Sequence, residues 1–520
     1  MHYCNKIMDV PVTYNEAFHS SNSSEWQKAM QLEMNALAEN DTYVLVPKPN
    51  KPIIGGRWVY SLKFDLDGKE ICKARFVAKG FTQRKDIDYD ETFSPTARLT
   101  SIRVLLQVAI NHKYEIHQLD VKSAYLNADL DHDIYIHQPK GFEKFDEFGN
   151  PLVMKLKKAL YGLKQSGRMW NKLLHEFLTS NKFTQSKSDY CVYIQDVGQD
   201  RVYLLIWVDD IIMLSTSNEA ATRVKTLLIS KFRMKDFGTI SNFLGIEFQI
   251  YDGFIKMHQS KYVCKLLLKF GMSDCKHKII PCDYSTVNLD FDENSTSLND
   301  AGLYREIVGS LIYLMTCSRP DLSYVVTILS QHMSKPTVAH LNLAKHVLRY
   351  LKFTADHGIT FKADDKLHVE GFTDASWANS NDRKSISGYC FRLSGSSGLV
   401  SWKTKKQPII ALSSCESEYV SMTHGMQEAM FLKQLLLDLL VVCEPDQVTL
   451  HVDNMGAIDL SKNPVHHQRT KHVDIKYHFI RSKVQDGTIV LRYVPSKENM
   501  ADIFTKPCTR MSLNKFQVAS

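Results

Sequence analysis

Two aspartates stand side by side, Asp209-Asp210, between the apolar runs Val202-Tyr203-Leu204-Leu205-Ile206-Trp207-Val208 and Ile211-Ile212-Met213-Leu214. The pattern reads as strand, turn, strand. A buried charge left alone costs several kcal/mol or is neutralised by a raised pKa. Two adjacent carboxylates in such a segment therefore need either the solvent of a polar turn or a bound divalent metal. From these residues alone both readings stand.

The flanking sequence supplies a setting. Apolar positions at helical spacing predict a helix over Trp26 to Leu37, capped from the Ser-rich stretch before it. Residues 57–64 and 73–79 flank the turn Asp67-Gly68 and read as a basic hairpin, with Lys73, Arg75 and Lys79 able to reach phosphates. A helix over 101–110 leads into Ile116-His117-Gln118-Leu119-Asp120-Val121, a strand whose carboxylate is a third candidate metal ligand. The Asp-, Asn- and Ser-rich stretch 283–300 reads as a linker. Beyond it a second α/β pattern opens at 368–374, with strands near 388–393 and 399–402, a helix over 414–440, and strands over 448–452 and 489–494.

A chain of 520 residues with 44% hydrophobic and 23% charged residues is a globular protein of several domains. Its net charge of +7 is modest, but Lys and Arg cluster in 51–85, 403–406 and 469–483, which suits a polyanionic partner. For the 403–406 patch a solvated face is the better reading. Eleven cysteines contain no C-x-x-C pair, so neither a zinc ribbon nor a disulfide framework is indicated. With no signal-peptide pattern and no apolar run of bilayer length, a soluble intracellular protein without membrane contact is expected.

Four segments occur in the order Lys73-Ala-Arg-Phe-Val-Ala-Lys-Gly-Phe-Thr-Gln83, Gln118-Leu-Asp-Val-Lys-Ser-Ala-Tyr-Leu126, Leu160-Tyr-Gly-Leu-Lys-Gln165 and Trp207-Val-Asp-Asp210. Together they resemble the reverse transcriptase of copia-type (Ty1/copia) retrotransposons. The resemblance continues through Phe243-Leu-Gly-Ile-Glu247, Ser318-Arg-Pro-Asp-Leu322 and Arg349-Tyr-Leu-Lys352 into the ribonuclease H of the same Pol polyprotein. It implies an α+β multidomain fold: a right-hand polymerase with fingers, palm and thumb, a connection, and an α/β ribonuclease H-like domain. The implied borders are 1–40 for a lead-in and first helix, 41–255 for fingers and palm, 256–365 for thumb and connection, 366–508 for ribonuclease H, and 509–520 for a tail.

Carried over residue by residue, the resemblance makes Asp120, Asp209 and Asp210 the polymerase carboxylates and Tyr125 the ring under the incoming sugar. Gly162, Lys164 and Gln165 would support nucleotide and template, and Trp207 would stand beside the primer end. Residues 243–247 would be a strand gripping the primer, and 262–270 the start of the thumb. Asp374, Glu418, Asp453 and Asp502 would be the ribonuclease H carboxylates, Glu418 being preferred over Glu416. Two Mg2+ per active site, or Mn2+ in their place, would be held by these hard oxygen ligands. The implied partners are an RNA template, a DNA or RNA primer, the RNA–DNA hybrid, dNTPs and other Pol and Gag products. The implied setting is a cytoplasmic virus-like particle, with the nucleus as a second compartment.

The chain departs from the family pattern at Trp207, usually Tyr, at Gly167, usually Pro or Ala, and in the loop 495–499, which lacks a common His. With no Asp-Thr/Ser-Gly protease motif and no integrase zinc pattern, a fragment, a processed product or a remnant is expected. The alternative is a decayed or co-opted element that binds nucleic acid without catalysis. His466, His467, His472, His478 and Asp474 fit no common four-ligand zinc spacing, and a basic helix face is the better reading. Cys415 has no His paired with it as a nucleophile would require. Gly395-Ser396-Ser397-Gly398 reads as a loop.

Overall fold

The computed structural model describes residues 10–64, 70–287, 295–380, 382–395, 397–462 and 471–519. The basic hairpin is present as strands Gly56–Phe64 and Glu70–Ala78, paired antiparallel over nine positions, with the expected turn Asp67-Gly68 outside the described residues. Along the second strand Ala74, Phe76 and Ala78 turn inward while Lys73, Arg75 and Val77 lie on the other face. The inward face packs on helix Ser23–Glu39 through Trp26 and Met30, Trp26 standing edge-on to Tyr60 at 5.3 Å. That helix takes its N-cap, Asn22, from the Ser-rich stretch, although the Asn22 side chain makes no capping hydrogen bond. Burial of its apolar face at about 1.5–3 kcal/mol per large side chain outweighs a cap worth about 1.

Asp210 opens a strand of a six-stranded antiparallel sheet in the order Met234–Thr239, Glu115–Val121, Asp210–Ser215, Asp200–Trp207, Val192–Val197, Thr184–Gln185, and Asp209 lies in the turn before it. Its central strands are apolar throughout because both faces are covered. Val202, Leu204, Ile206, Ile211 and Met213 pack against helices Ser166–Ser180 and Asn218–Lys231. Tyr203, Leu205, Ile212 and Leu214 share a core with helices Leu99–His112 and Ser414–Asp438. A three-stranded sheet, in the order Tyr43–Val46, Val153–Lys158, Asp129–His137, adjoins the hairpin core.

The strands Asn242–Phe243, Ile246–Tyr251, Phe254–His258 and Gly358–Lys362 form a four-stranded sheet. The expected border at 255/256 cuts the third of these strands, so the sheet is shared across it. Helices Ser260–Lys269, Gly302–Cys317, Ser323–Ser330 and Val338–Phe353 pack around one apolar core. Within it Arg319 makes a bidentate pair with Asp321 at 3.0 and 2.7 Å, and Tyr350 donates to Asp321 at 2.7 Å. The motifs around Arg319 and Tyr350 thus meet as one buried polar knot.

The C-terminal unit is a mixed five-stranded sheet, Ser401–Lys406, Ile386–Arg392, Glu370–Ser376, Val448–Val452, Ile489–Tyr493, antiparallel over the first three strands and parallel over the last three. The expected tail is no tail: Arg510–Ala519 is a helix whose Leu513 and Phe516 are buried with Phe504. This unit is locked to the first half by Arg103. Its guanidinium is fully buried, donates to the carbonyls of Val400 at 2.7 Å and of Thr316 and Cys317 at 3.0 Å, and lies 3.9 Å over the Trp402 ring. Asp438, ending helix Ser414–Asp438, accepts four further bonds from Ser186, Lys187 and Ser188.

Two carboxylate clusters as candidate active sites

Strands Glu115–Val121 and Asp210–Ser215 pair so that Asp120 lies directly opposite Asp210, and the Val121 N–H donates to the Asp209 carbonyl at 2.8 Å. Directly opposed residues on one sheet point the same way, so these two carboxylates share a face. Trp207 pairs with Asp210, leaving Val208-Asp209 as a two-residue turn. Val208 has φ +58°, a left-handed conformation that a β-branched residue adopts only under strain. Buried Trp170 holds the turn, its indole N–H donating to the Val208 carbonyl at 2.7 Å. Neither the strain nor Trp170 was visible in the local pattern, since the partners lie 38 residues apart.

An aromatic relay links the hairpin to this turn. The Arg75 guanidinium lies 4.6 Å over the Tyr161 ring, and Tyr161 sits 4.9 Å from Tyr125. Burial first, and the charge of Asp209 second, push the Tyr125 phenol up. Burial pushes Tyr161 up to about 12. Gly162, with φ +92°, lies so close to the hairpin that an added Cβ would stand 2.2 Å from the Ala78 carbonyl oxygen.

Lys73 lies on the Arg75 face, Lys79 is exposed beside Gly55, and Lys164 donates to the Tyr89 hydroxyl at 3.0 Å on the surface. Gln165 differs from its expected role as a nucleic-acid contact. It is fully buried and its amide is spent on Gln83 at 2.9 Å and the Asp88 carbonyl at 2.8 Å, so it braces the loop. Residues 243–247 are not one strand: Leu244-Gly245, both at positive φ, make a tight turn that pairs Phe243 with Ile246. Gly167 lies in the first turn of helix Ser166–Ser180, where its carbonyl accepts from Ser94 at 3.1 Å and a Cβ would make ordinary contacts. Trp207 is half-buried against the main core.

The second cluster is tighter. Ligand oxygens of Asp374, Glu418 and Asp453 all lie within 4.8 Å of one another, the one such group among the described residues. Asp374 comes from strand Glu370–Ser376, Glu418 from helix Ser414–Asp438, and Asp453 follows strand Val448–Val452. One Glu418 oxygen accepts from the Ala375 N–H at 3.1 Å, while the other is buried with no hydrogen-bond partner. Burial, reinforced by the neighbouring carboxylates, pushes Glu418 up to about 9. Burial likewise lifts Asp374 to about 6, although Lys506 pulls it down. Three hard oxygen donors with an orphaned buried oxygen fit a divalent cation.

Glu416 is committed elsewhere: it accepts from the Leu412 N–H at 2.7 Å as part of the helix cap, which favours Glu418. Asp502 lies at the edge of the cluster, bonded to Lys506, whose ammonium is also 3.4 Å from Asp374. Thr505 donates to Asp374 as well. Lys506 escaped the reading of the sequence, although its i,i+4 spacing from Asp502 was a usable sign. Asn499, in the short loop lacking a His, donates to the Thr373 carbonyl at 2.8 Å and so ties that loop to the Asp374 strand.

Other expectations resolve simply. His466 and His467 lie outside the described residues, as do the side chains of His472 and Asp474, and His478 is exposed. Burial pushes the Cys415 thiol up, away from a reactive thiolate. No helix among the described residues is long and apolar enough to cross a membrane.

Residues 40–284 match the family model described as reverse transcriptase (RNA-dependent DNA polymerase). The Retrovirus-related Pol polyprotein from transposon RE1 of Arabidopsis thaliana is 39% identical over 96% of this chain, and that from transposon TNT 1-94 of Nicotiana tabacum is 37% identical over 98%. The chain spans about a third of the length of these relatives, 34% and 38%. A transposon Ty5-1 protein of Saccharomyces cerevisiae is 31% identical and is covered over its whole length. Sequence likeness across nearly the whole chain, on a scaffold that sets Asp120 directly opposite Asp210, makes it a member of the copia-type retrotransposon Pol family, with a reverse transcriptase region.

Proposed function

We propose that the chain copies an RNA template into DNA from a DNA or RNA primer and degrades the RNA strand of the resulting hybrid. The observation that carries this reading is the pairing of Asp120 with Asp210, with Asp209 on the adjoining turn. In this reading residues 1–40 lead into fingers and palm over 41–255, followed by thumb and connection over 256–365, a ribonuclease H unit over 366–508 and a C-terminal segment over 509–520. The sheet of residues 242–258 and 358–362 joins palm to connection.

Asp120, Asp209 and Asp210 would hold one pair of Mg2+ ions, and Asp374, Glu418, Asp453 and Asp502 a second pair, with Mn2+ as a substitute. Bound there, the ions supply charge neutralisation for an in-line displacement at the first site and an activated water at the second. Tyr125, braced by Tyr161 and Arg75, presents its ring beneath the incoming sugar and crowds a 2'-hydroxyl. Lys73, Arg75 and Lys79 offer cations to triphosphate or template phosphates. Gly162 lets the loop close on the hairpin, Lys164 stands at its rim, and Trp207 lies beside the primer end. The partners are dNTPs, template, primer, hybrid and other Pol and Gag products, in a cytoplasmic virus-like particle, with the nucleus as a second compartment.

Primer extension on an RNA template with Mg2+ tests the first activity beside Asp209→Asn, and hybrid cleavage tests the second beside Asp453→Asn. Each variant is expected to lose its own activity and keep the other. A wild-type chain that extends primers no better than Asp209→Asn would overturn the polymerase reading and favour nucleic-acid binding without catalysis.

A further inference from the structure

We propose that Lys506 is a tethered cation that competes with metal for the cluster of Asp374, Glu418, Asp453 and Asp502, and so sets how tightly that cluster binds a divalent ion. The inference rests on the reading of this cluster as a metal site. The Lys506 ammonium lies 3.4 Å from Asp374 and is hydrogen-bonded to Asp502. It therefore occupies the side of the cluster where the fourth carboxylate would otherwise close on the other three. The oxygens of Asp374, Glu418 and Asp453 already lie within 4.8 Å of one another, and Asp502 is the member left out of that group.

The tether is short. Asp502 lies in the helical turn Met500–Phe504, and the Lys506 N–H donates to the Asp502 carbonyl at 3.1 Å, which fixes the root of the side chain beside its partner. Thr505, the preceding residue, donates to the Asp374 carboxylate, so one short segment delivers both a hydroxyl and an ammonium to the cluster. The Lys506 side chain is about a third exposed, which leaves it a route to swing outward. Two positive charges cannot share the Asp374–Asp502 gap, so a divalent ion that uses both carboxylates must displace the ammonium. The protein thus carries its own first counterion, and metal enters by exchange.

The test is Mn2+ titration of the full chain, followed by calorimetry and water-proton relaxation, in an Asp209→Asn background that removes a ligand from the other cluster. Lys506→Met is expected to tighten Mn2+ binding by at least ~10-fold, well inside what a unit charge a few Å away can exert at an effective dielectric of about 20. Lys506→Arg, which keeps the charge, should show no tightening. Adding Asp374→Asn should abolish the gain. Lys506→Gln serves as a second neutral variant should Lys506→Met fail to fold, as judged by circular dichroism. Equal or weaker Mn2+ binding by a folded neutral variant, with parent binding that depends on Asp374, overturns the competition alone. Parent binding indifferent to Asp374→Asn overturns the metal reading and this inference with it.

Discussion

Gly162→Ala is expected to separate the hairpin from the loop that braces Tyr125. At φ +92° an L-residue pays about 1–2 kcal/mol for the left-handed backbone alone. The new Cβ would also stand 2.2 Å from the Ala78 carbonyl oxygen and 2.6 Å from a Val77 methyl, neither of which is a flexible chain end. Relief requires the hairpin to withdraw, and Gly80 limits sideways slip because its own Cβ position lies 2.0 Å from the Gly162 carbonyl. Withdrawal breaks the Ala78 N–H bond to the Tyr161 carbonyl, 2.8 Å long, at about 1–3 kcal/mol for a buried amide. The total is about 2–5 kcal/mol. Gly149→Ala is the control, since φ is +81° there and nothing lies within 4 Å, so only the backbone cost of about 1–2 kcal/mol applies.

A chain of several domains does not unfold in one step, so the assay is local: amide hydrogen exchange over residues 70–84 and 158–166, with the KM for dNTP measured alongside. Gly162→Ala should speed exchange in both windows and raise KM, as the Arg75–Tyr161–Tyr125 relay loses alignment. Gly149→Ala should do neither. Equal exchange in the two windows for both variants, with KM unchanged, would refute the close-approach account.

Trp170→Phe keeps the ring but removes the indole N–H bond to Val208, and should cost about 1 kcal/mol while lowering primer extension more than hybrid cleavage, read by parallel assays of the two activities. Arg103→Leu leaves three carbonyls without their donor and should cost about 3 kcal/mol or more, read as new protease sensitivity between the sheet of residues 370–493 and the first half. Glu418 and Asp374 are raised in the folded state, so they bind protons there that the unfolded chain has released. Their contribution to metal-free stability is complete below about pH 4 and is lost as pH rises through about 6 and then about 9. Melting temperature of the metal-free protein should fall across that window, and Glu418→Gln should flatten its upper part.

What could be read from sequence here was whatever the chain states within a few residues. The two β-rich segments either side of Asp67-Gly68 marked the basic hairpin, and the apolar runs around Asp209-Asp210 read as strand, turn, strand. The residues that escaped share one property: their role is defined by a partner far along the chain. Trp170 reads as a core aromatic until Val208 is brought to its N–H, and Arg103 sits in an apolar helix where a charge has no visible purpose until Val400 and Thr316 arrive. Gln165 shows the converse. A polar residue inside a recognisable motif invites a ligand, yet burial without solvent forces its amide to find protein partners, and it finds them in Gln83 and Asp88. Lys506 lies between the cases, close to Asp502 in sequence but meaningful only once Asp374 arrives from 132 residues away. Such a residue is missed because carboxylates are sought as metal ligands, while the cation that balances them in the folded chain has no motif of its own. A buried acidic cluster must be neutralised in every state the protein visits, so the search for its ligands should include the lysine or arginine that stands in for them.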